Sequence, residues 1–317
     1  MAQKASVVIP VYNEAGILTE NTLTLVSYLS AALTDYEIIL VENGSLDETG
    51  SIAEQLSADN PKIKTIRLPE PCLGEALKTG VMNACYDKII YYPIDLSVNL
   101  SFIPESTRLL DTHQIIIGSK KMQMAQDHRP LNRRLASTGY HRAVQMLFRT
   151  DLTDTTCVKA YQRQVALELM SGVPSGSSVF ETEVLLEAQR MGLDLYQIPV
   201  EVNDPRMGRQ PLRYKILFKF QDLMSLRLDI ISMISGAAMF LTGLSVMGYL
   251  SFQKLLFNHE GFLNPYSFLI SMLLILFGAQ GFAYGLFARL FLQLRREVTL
   301  EHSRRNDTGN VFKEEGK

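Results

Sequence analysis

The sequence predicts an α/β domain with a mostly parallel sheet, followed by an amphipathic helix and a two-helix transmembrane hairpin. Two observations support this prediction. In residues 1–120, short β-branched apolar runs alternate with longer amphipathic stretches, a pattern typical of βαβ units. Residues 230–253 and 261–288 contain no Asp, Glu, Lys or Arg, and each stretch is long enough to cross a hydrocarbon core of about 30 Å as a helix.

The composition limits the classes of protein to which the chain can belong. Of 317 residues, 47% are hydrophobic and 20% are charged, which excludes a disordered chain and allows a large core. The net charge is −2, so no overall positive field is available for binding nucleic acid. The three cysteines show no C-x-x-C spacing, which argues against a disulfide framework and a zinc ribbon.

Five apolar runs are the predicted strands of the sheet, with helices between them. These runs are 6–10, 36–41, 63–68, 88–92 and 114–118. Ser45 and Glu48 match a capping box, which predicts that the second helix begins there. A basic helix is predicted over 130–150, another helix over 181–191 and a last strand over 197–202.

Basic residues flank the outer sides of both apolar stretches. Before the first stretch these are Arg206, Arg209, Arg213, Lys215, Lys219 and Arg227; around the end of the second they are Arg289, Arg295, Arg296, Arg304 and Arg305. Because loops rich in Lys and Arg remain in the cytoplasm, both chain termini are predicted to be cytoplasmic. Residues 212–228 mix apolar and basic side chains, as an amphipathic helix on membrane lipid does.

The predicted organisation therefore has four parts. They are a cytoplasmic α/β domain (1–205), a juxtamembrane amphipathic helix (206–228), a transmembrane hairpin (229–295) and a polar cytoplasmic tail (296–317). Gly281 and Gly285 form a small-x-x-x-small face that packs either the two hairpin helices or two copies of the chain together. The second arrangement would make a homo-oligomer.

Polar residues follow three of the predicted strands. They are Tyr12-Asn13-Glu14, Glu42-Asn43-Gly44-Ser45 and Asp95-Leu96-Ser97. Because ligands of open parallel sheets bind beyond the carboxyl ends of the strands, these residues are predicted to line one site. Neither G-x-G-x-x-G after the first strand nor a P-loop motif is present, which disfavours nicotinamide enzymes and P-loop NTPases.

Nine motifs occur in a fixed order along the chain: Val8–Glu14, Val41–Thr49, Gly74–Gly80, Tyr91–Ser97, Gly118–Lys120, Arg133–Ser137, Asp154–Arg163, Phe180–Glu183 and Pro199–Val202. This order resembles the family 2 glycosyltransferases of GT-A (Rossmann-like) fold. The two apolar stretches narrow the resemblance to polyisoprenyl-phosphate sugar synthases of the dolichyl-phosphate mannose synthase type. The resemblance implies an inverting transferase that moves a hexose from a nucleotide-diphosphate sugar to a polyprenyl (dolichyl or undecaprenyl) phosphate at the cytoplasmic leaflet.

The same resemblance implies which residues bind the donor. The base and ribose would be lined by Pro10, Tyr12, Glu14, Glu42 and Asp47. Carboxylates suit this role because they accept hydrogen bonds from ribose hydroxyls and base N–H groups. Two alternatives stay open: Asp47 complements the dipole of the following helix, and Tyr12 is a packing residue.

The metal site departs from the family pattern. The usual aspartate pair after the second strand is Glu42-Asn43, and the usual Asp-x-Asp is Pro93-Ile94-Asp95. Magnesium commonly takes only one or two protein carboxylates and completes its shell with water and substrate phosphates. Asp95, helped by Ser97, is therefore expected to bind Mg²⁺ or Mn²⁺. The alternative is that Asp95 only caps a turn.

The acceptor site follows from the resemblance and from the chemistry of a lipid phosphate. Such a phosphate is already ionised, so it needs a cationic cradle and no strong general base. The family's acceptor residues correspond to Lys120, Arg133 and Ser137, and the last two share a helical face. The family places Glu183 near the sugar, and uses residues at the positions of Arg206 and Arg209 for donor or lipid phosphates.

Three other classes of protein could share parts of this pattern. A degenerate transferase domain that acts as a membrane scaffold is left open by Asn43 and Pro93. Transfer to a neutral lipid would require a general base that the sequence does not single out. A processive polysaccharide synthase is excluded because the chain lacks tryptophan, and therefore the Gln-x-x-Arg-Trp element.

The spacing of the histidines does not match that of metal ligands. His113, His128 and His141 are therefore predicted to be structural or on the surface.

Overall fold

A computed structural model of the chain describes residues 3–122, 124–128, 130–176, 179–203, 221, 223, 227–257 and 265–314. They belong to two compact units, Met1–Asp222 and Leu223–Lys317. Arg206 and Arg209, with most of the predicted amphipathic helix, lie outside the described residues.

The first unit contains nine strands and seven helices among its described residues. In chain order they are β1 (Lys4–Val11), α1 (Ala15–Ala32), β2 (Asp35–Asn43), α2 (Thr49–Asp59), β3 (Ile63–Leu68), α3 (Leu73–Met82), β4 (Lys88–Tyr91), α4 (Phe102–Leu109), β5 (Ile115–Ser119), β6 (Gln126–Asp127), α5 (Leu131–Phe148), β7 (Lys159–Gln162), α6 (Arg163–Gly172), α7 (Phe180–Arg190), β8 (Leu195–Pro199) and β9 (Glu201–Val202).

Seven of these strands form one sheet in the order β3-β2-β1-β4-β7-β5-β8. All neighbours are parallel except at β7, which runs antiparallel to both β4 and β5. Alternate residues of β1 pack on opposite faces: Val7 and Ile9 join one core cluster and Val8 joins the other. Both faces are covered, which explains why the strands are continuous apolar runs. The predicted α/β fold with a mostly parallel sheet is confirmed.

The predicted last strand differs from the structure. Residues 197–202 form parts of two strands, because β8 pairs with β5 up to Pro199 and β9 pairs with β6 in a separate two-stranded sheet. Pro199 has no backbone N–H, so it cannot donate a ladder hydrogen bond.

Strand β7 is not among the strands that the sequence predicts. It is short and largely buried, and its KAYQ sequence lacks the alternation that marks a strand.

The second unit contains two long helices, α8 (Leu228–Phe257) and α9 (Pro265–Glu314). By length and composition, both could cross a membrane, over Leu228–Leu256 and Pro265–Phe291. Only 11% of the most apolar stretch of α8 and 17% of that of α9 are buried inside the protein. Most of their apolar side chains therefore point outward, as they do in helices that face lipid.

Glycines bring these two helices into close contact. A Cβ on Gly236 would lie 2.3 Å from the backbone N of Phe282, and one on Gly278 would lie 2.4 Å from that of Phe240. A Cβ on Gly285 would lie 2.5 Å from Met233 Cγ. Of the two arrangements expected for the small-residue face, the structure shows packing within the hairpin.

Candidate active site

The strand order brings the predicted donor residues to one edge of the sheet. Strands β2, β1 and β4 are parallel neighbours, so their carboxyl ends, which carry Glu42, Pro10 and the Asp95 loop, lie on the same side. Strand β5 has the same direction, because β7 is antiparallel to it and to β4, and Lys120 follows β5 directly. Tyr12 is 39% exposed at this edge, which argues against the packing alternative.

Hydrogen bonds join the loop after β1 to the loop after β2. The Asn13 backbone N donates to Ser45 Oγ (3.0 Å), and Leu46 N donates to Asn13 Oδ1 (2.8 Å). Glu14 N donates to Thr49 Oγ1 (2.8 Å). Asn13 has a φ of 53°, a left-handed conformation that asparagine tolerates. The two loops therefore form one connected wall of the site.

The capping box predicted at Ser45 and Glu48 is wrong. Helix α2 begins at Thr49, and neither predicted side chain caps it. Asp47 Oδ1 accepts from the backbone N of Thr49 (3.0 Å), and Ser45 Oγ is used by Asn13 instead. Ser45 Oγ therefore bonds to a residue 32 positions earlier in the chain and not to the first turn of the helix that follows it.

Asp47 has a structural role in this wall. Besides its bonds to Thr49, its Oδ2 accepts from Ala15 N at 3.3 Å. Partial burial works to raise the pKa of Asp47, but the hydrogen bonds from Thr49 outweigh it and lower the pKa. The contacts support the structural alternative over the direct donor role that the resemblance implied.

A cleft of about 460 Å³ lies beside this wall. It is lined by Glu42, Gly44, Ser45, Leu46, Arg67, Leu68 and Pro69. Glu42 is 1% exposed; its Oε1 accepts from Ser45 N at 2.5 Å, and its Oε2 lies 3.4 Å from Arg67 Nε. Sequence reasoning missed Arg67, which enters the site only because β3 pairs with β2. The cleft therefore contains a hydrogen-bond acceptor, the Glu42 carboxylate, next to a hydrogen-bond donor, the Arg67 guanidinium.

We expect Gly44→Ala to destabilise the domain by about 1–2 kcal/mol or more, because Gly44 has a φ of +67° and a left-handed L-residue costs that amount. The added Cβ would also lie 2.8 Å from the carbonyl carbon of Glu70. Thermal unfolding of the full chain in detergent measures the loss. Gly16→Ala is the control, since its Cβ would meet no atom within 4 Å. Equal melting temperatures for the two variants would contradict the expectation.

The Asp95 loop turns sharply after β4. Asp95 Oδ1 accepts from the backbone N of Ser97 (2.9 Å), and Leu96 has a φ of 50°. The Leu96 side chain packs against the hydrophobic core. Asn203 N donates to the Ser97 carbonyl (2.8 Å), which ties the loop to the residues after β9. Packing of the partly buried Leu96 against the core thus holds the strained turn that keeps Asp95 at the sheet edge.

The metal-binding capacity of this edge is limited. Among the described residues, no group of three or more His, Cys, Asp or Glu side chains is arranged to hold a metal ion. Asp95 and Ser97 supply oxygen donors, the type that Mg²⁺ and Mn²⁺ prefer. This donor set fits an ion that takes most of its ligands from substrate phosphates and water.

The predicted acceptor residues on α5 lie beside a buried polar cluster. Lys120 Nζ is 2.9 Å from Asp154 Oδ2, and His141 Nε2 is 2.8 Å from Asp154 Oδ1. Arg133, Ser137 and His141 follow one another at intervals of four along α5 and so share a face. His141 is buried, which agrees with the first of the two alternatives, structural or on the surface, that the sequence predicted. Sequence reasoning missed the role of Asp154, which adjoins the site only in the fold.

The hydroxyl of Ser137 is unusual for a helical serine. Its Oγ is buried and has no hydrogen-bond partner among the described residues. The hydroxyl of the next residue, Thr138, donates a hydrogen bond to the carbonyl four residues earlier, Arg134 O, at 2.8 Å, as helical threonines commonly do. An unsatisfied buried hydroxyl costs about 1–3 kcal/mol, so Ser137 Oγ retains hydrogen-bonding capacity that the described residues do not use.

The first turn of α7 carries Glu183 and is fixed by its neighbours. Lys159 Nζ is 2.6 Å from Glu181 Oε1, and it also donates to the Cys157 carbonyl at 2.8 Å. Thr182 Oγ1 is 2.9 Å from Tyr140 OH. The helix end that bears Glu183 is therefore anchored to β7 and α5.

The sequence is similar to a known protein family and to individual known proteins. Residues 6–169 match Glycosyl transferase family 2. Glycosyltransferase AglD of Haloferax volcanii is 31% identical over 207 residues, which are 62% of this chain and 33% of AglD. Dolichyl-phosphate beta-glucosyltransferase ALG5C of Trichomonas vaginalis is 25% identical over 213 residues, which are 62% of this chain and 63% of that protein. The chain thus spans a third of the first relative and less than two thirds of the second.

Solved structures share the fold. Glucosyl-3-phosphoglycerate synthase from Mycobacterium tuberculosis in complex with UDP has a TM-score of 0.51 and 21% identity, over 70% of this chain and 79% of that chain. The same enzyme with Mn²⁺, UDP and glucosyl-3-phosphoglycerate has a TM-score of 0.51 and 20% identity over the same shares. This likeness confirms the GT-A fold that the motifs predicted.

Proposed function

The chain belongs to glycosyltransferase family 2, and we propose that it transfers a hexose, with inversion, from a nucleotide-diphosphate sugar to a polyprenyl phosphate at the cytoplasmic leaflet of a membrane. One observation carries the proposal: a family 2 domain is followed by two helices long and apolar enough to cross a membrane. A transferase attached in this way faces acceptors that lie in the membrane. One relative is a dolichyl-phosphate beta-glucosyltransferase, which supports an acceptor of this class.

The donor site is proposed at the cleft that Glu42 and Arg67 help to line. The Glu42 carboxylate accepts hydrogen bonds and the Arg67 guanidinium donates them, which together suit the edge of a base and a ribose. Structural neighbours bind UDP or UDP-glucose, which supports a nucleotide here. Tyr12, which is exposed at the same edge of the sheet, offers an aromatic face on which a base can stack.

The metal is proposed to be Mg²⁺ or Mn²⁺, held by Asp95 with Ser97. A bound ion would neutralise charge on the diphosphate leaving group. A structural neighbour was crystallised with Mn²⁺. Asp95 contributes a carboxylate whose orientation is fixed by its hydrogen bond from Ser97 N.

The acceptor phosphate is proposed to bind Arg133, Ser137 and Lys120, with Glu183 near the sugar and Arg206 and Arg209 near phosphates. The buried Ser137 hydroxyl without a partner supports this placement. An ionised phosphate oxygen attacks the sugar carbon as the bond to the diphosphate breaks, so these residues need only bind and orient it.

We expect Arg133→Ala to raise the KM for polyprenyl phosphate about 10- to 100-fold and to leave the donor KM unchanged. The variant removes a charge-assisted phosphate contact worth about 1.5–3 kcal/mol. Steady-state kinetics with each substrate varied in turn measure the effect. Arg142→Ala is the control, because Arg142 is exposed and lies nine residues after Arg133 on α5, which places it on the opposite face of the helix. Equal changes in both KM values would remove Arg133 from the acceptor side.

Both chain termini are proposed to be cytoplasmic, because basic residues flank the outer sides of the hairpin. We expect protease added to sealed, right-side-out cells to leave a C-terminal tag intact. Protease added to inverted membrane vesicles should remove the tag. Cleavage from the outer side alone would reverse this topology.

The function itself is tested with purified enzyme in detergent. A panel of radiolabelled nucleotide sugars is incubated with undecaprenyl or dolichyl phosphate, and label is counted in the lipid extract. Incorporation from one donor supports the proposal. Incorporation without any prenyl phosphate would indicate a different acceptor, and no turnover of any donor would favour a scaffold protein.

A further inference from the structure

A buried chain of contacts joins α5 to the residue that follows β5. It runs from the Ser137 carbonyl through His141 and Asp154 to Lys120. The His141 Nδ1 atom is 2.6 Å from Ser137 O, which can only accept, so Nδ1 donates. His141 Nε2 then meets Asp154 Oδ1 at 2.8 Å, and Asp154 Oδ2 meets Lys120 Nζ at 2.9 Å.

The cluster is almost fully shielded from water. The side chains of Asp154, His141 and Lys120 are 0%, 4% and 6% exposed. Burial works to raise the pKa of Asp154, but the charge of Lys120 and the hydrogen bond from His141 outweigh it and hold that pKa well below its usual range. Asp154 is therefore an anion enclosed by its partners.

Stability alone does not account for such a cluster. Replacing a buried ion pair by well-packed apolar residues is often neutral or stabilising, because desolvation of the two charges offsets their attraction. What a buried ionic contact supplies is a fixed geometry. Here the two segments that it connects are the two on which the proposed acceptor groups stand, Lys120 after β5 and the Ser137 turn of α5.

We propose that His141 and Asp154 are positioning residues, which fix Lys120 and the Ser137 turn relative to each other so that both meet one acceptor phosphate. This inference rests on the proposed function. Neither residue touches the substrate. His141 belongs to α5 and holds Asp154, and Asp154 holds the Lys120 ammonium, so the contact between His141 and Asp154 connects α5 to Lys120.

The test is the binding of farnesyl phosphate, a short soluble acceptor probe, to the full chain in detergent by calorimetry. His141→Ala should weaken this binding about tenfold, within the range of coupling between contacting residues, while UDP binding stays unchanged. His141→Gln should restore most of the loss, because its amide can donate to Asp154 and accept from Thr155 N, which lies 3.0 Å from His141 Nε2. A residue that only fills space would not discriminate between the two probes.

A double variant tests whether His141 acts through the cluster. His141→Ala combined with Lys120→Met should bind farnesyl phosphate no more weakly than Lys120→Met alone. The matched control is His113→Ala: His113 forms a more exposed pair with Asp194 (2.6 Å), and its loss should not affect either probe. If His141→Ala does not fold, Asp154→Asn takes its place: it removes the charge that holds Lys120, and it should weaken farnesyl phosphate binding while UDP binding stays unchanged.

The outcomes separate this inference from the proposed function. Wild-type enzyme that binds no farnesyl phosphate would overturn the proposed acceptor, and this inference with it. Normal wild-type binding with unchanged binding in His141→Ala would overturn the inference alone. Parallel losses of UDP and farnesyl phosphate binding, or a glutamine variant as weak as alanine, would do the same.

Discussion

Asp95→Asn is expected to reduce lipid-linked sugar formation at least 100-fold, with little change in folding. Asparagine keeps an oxygen that can accept from Ser97 N, as Asp95 Oδ1 does at 2.9 Å, so the turn should persist. The substitution removes the negative charge that is proposed to hold a divalent ion at the leaving diphosphate. Loss of such an ion costs several kcal/mol of transition-state stabilisation, and each 1.36 kcal/mol is about tenfold in rate.

The measurement is turnover of wild type and Asp95→Asn with and without Mg²⁺ or Mn²⁺. Chelation with EDTA should abolish wild-type turnover and reduce that of the variant little further. Asp59→Asn, at the exposed end of α2, is the control and should match wild type. Wild-type turnover in Asp95→Asn would remove Asp95 from the mechanism.

Lys159→Met is expected to destabilise the α/β domain by about 3–5 kcal/mol, the cost of leaving a largely buried partner charge uncompensated. Lys159 is 1% exposed and pairs with Glu181 at 2.6 Å. Its ammonium also lies 5.4 Å from the centre of the Tyr91 ring. Methionine keeps the length of the side chain, so the loss reports on charge more than on packing.

Chemical denaturation of the full chain in detergent measures this loss. Arg190→Met is the control: its pair with Glu187 is exposed and should contribute no more than about 0.5 kcal/mol. The double variant Lys159→Met/Glu181→Gln should recover part of the stability, since no unpaired carboxylate remains. A Lys159→Met variant as stable as Arg190→Met would show that the pair is not stabilising.

The sequence alone determined the class of fold, the edge of the sheet that carries the site and the two apolar helices. These features depend on local patterns. Runs of β-branched residues specify strands, and parallel strands place their carboxyl ends together, so Glu42 and Asp95 could be assigned to one edge from their positions in the chain. Helix length in a membrane follows from counting uncharged residues.

Only the tertiary structure decided which polar groups are already used. Ser45 matches a local capping signal, but the loop after β1 places the Asn13 backbone N close enough to donate to its hydroxyl. Arg67 contacts Glu42, 25 residues earlier in the chain, and Asp154 contacts Lys120, 34 residues earlier. No periodicity in the local sequence predicts such contacts. Hydrogen bonds and ion pairs depend on distances of about 3 Å, which pairing of strands and packing of helices set after the local elements have formed.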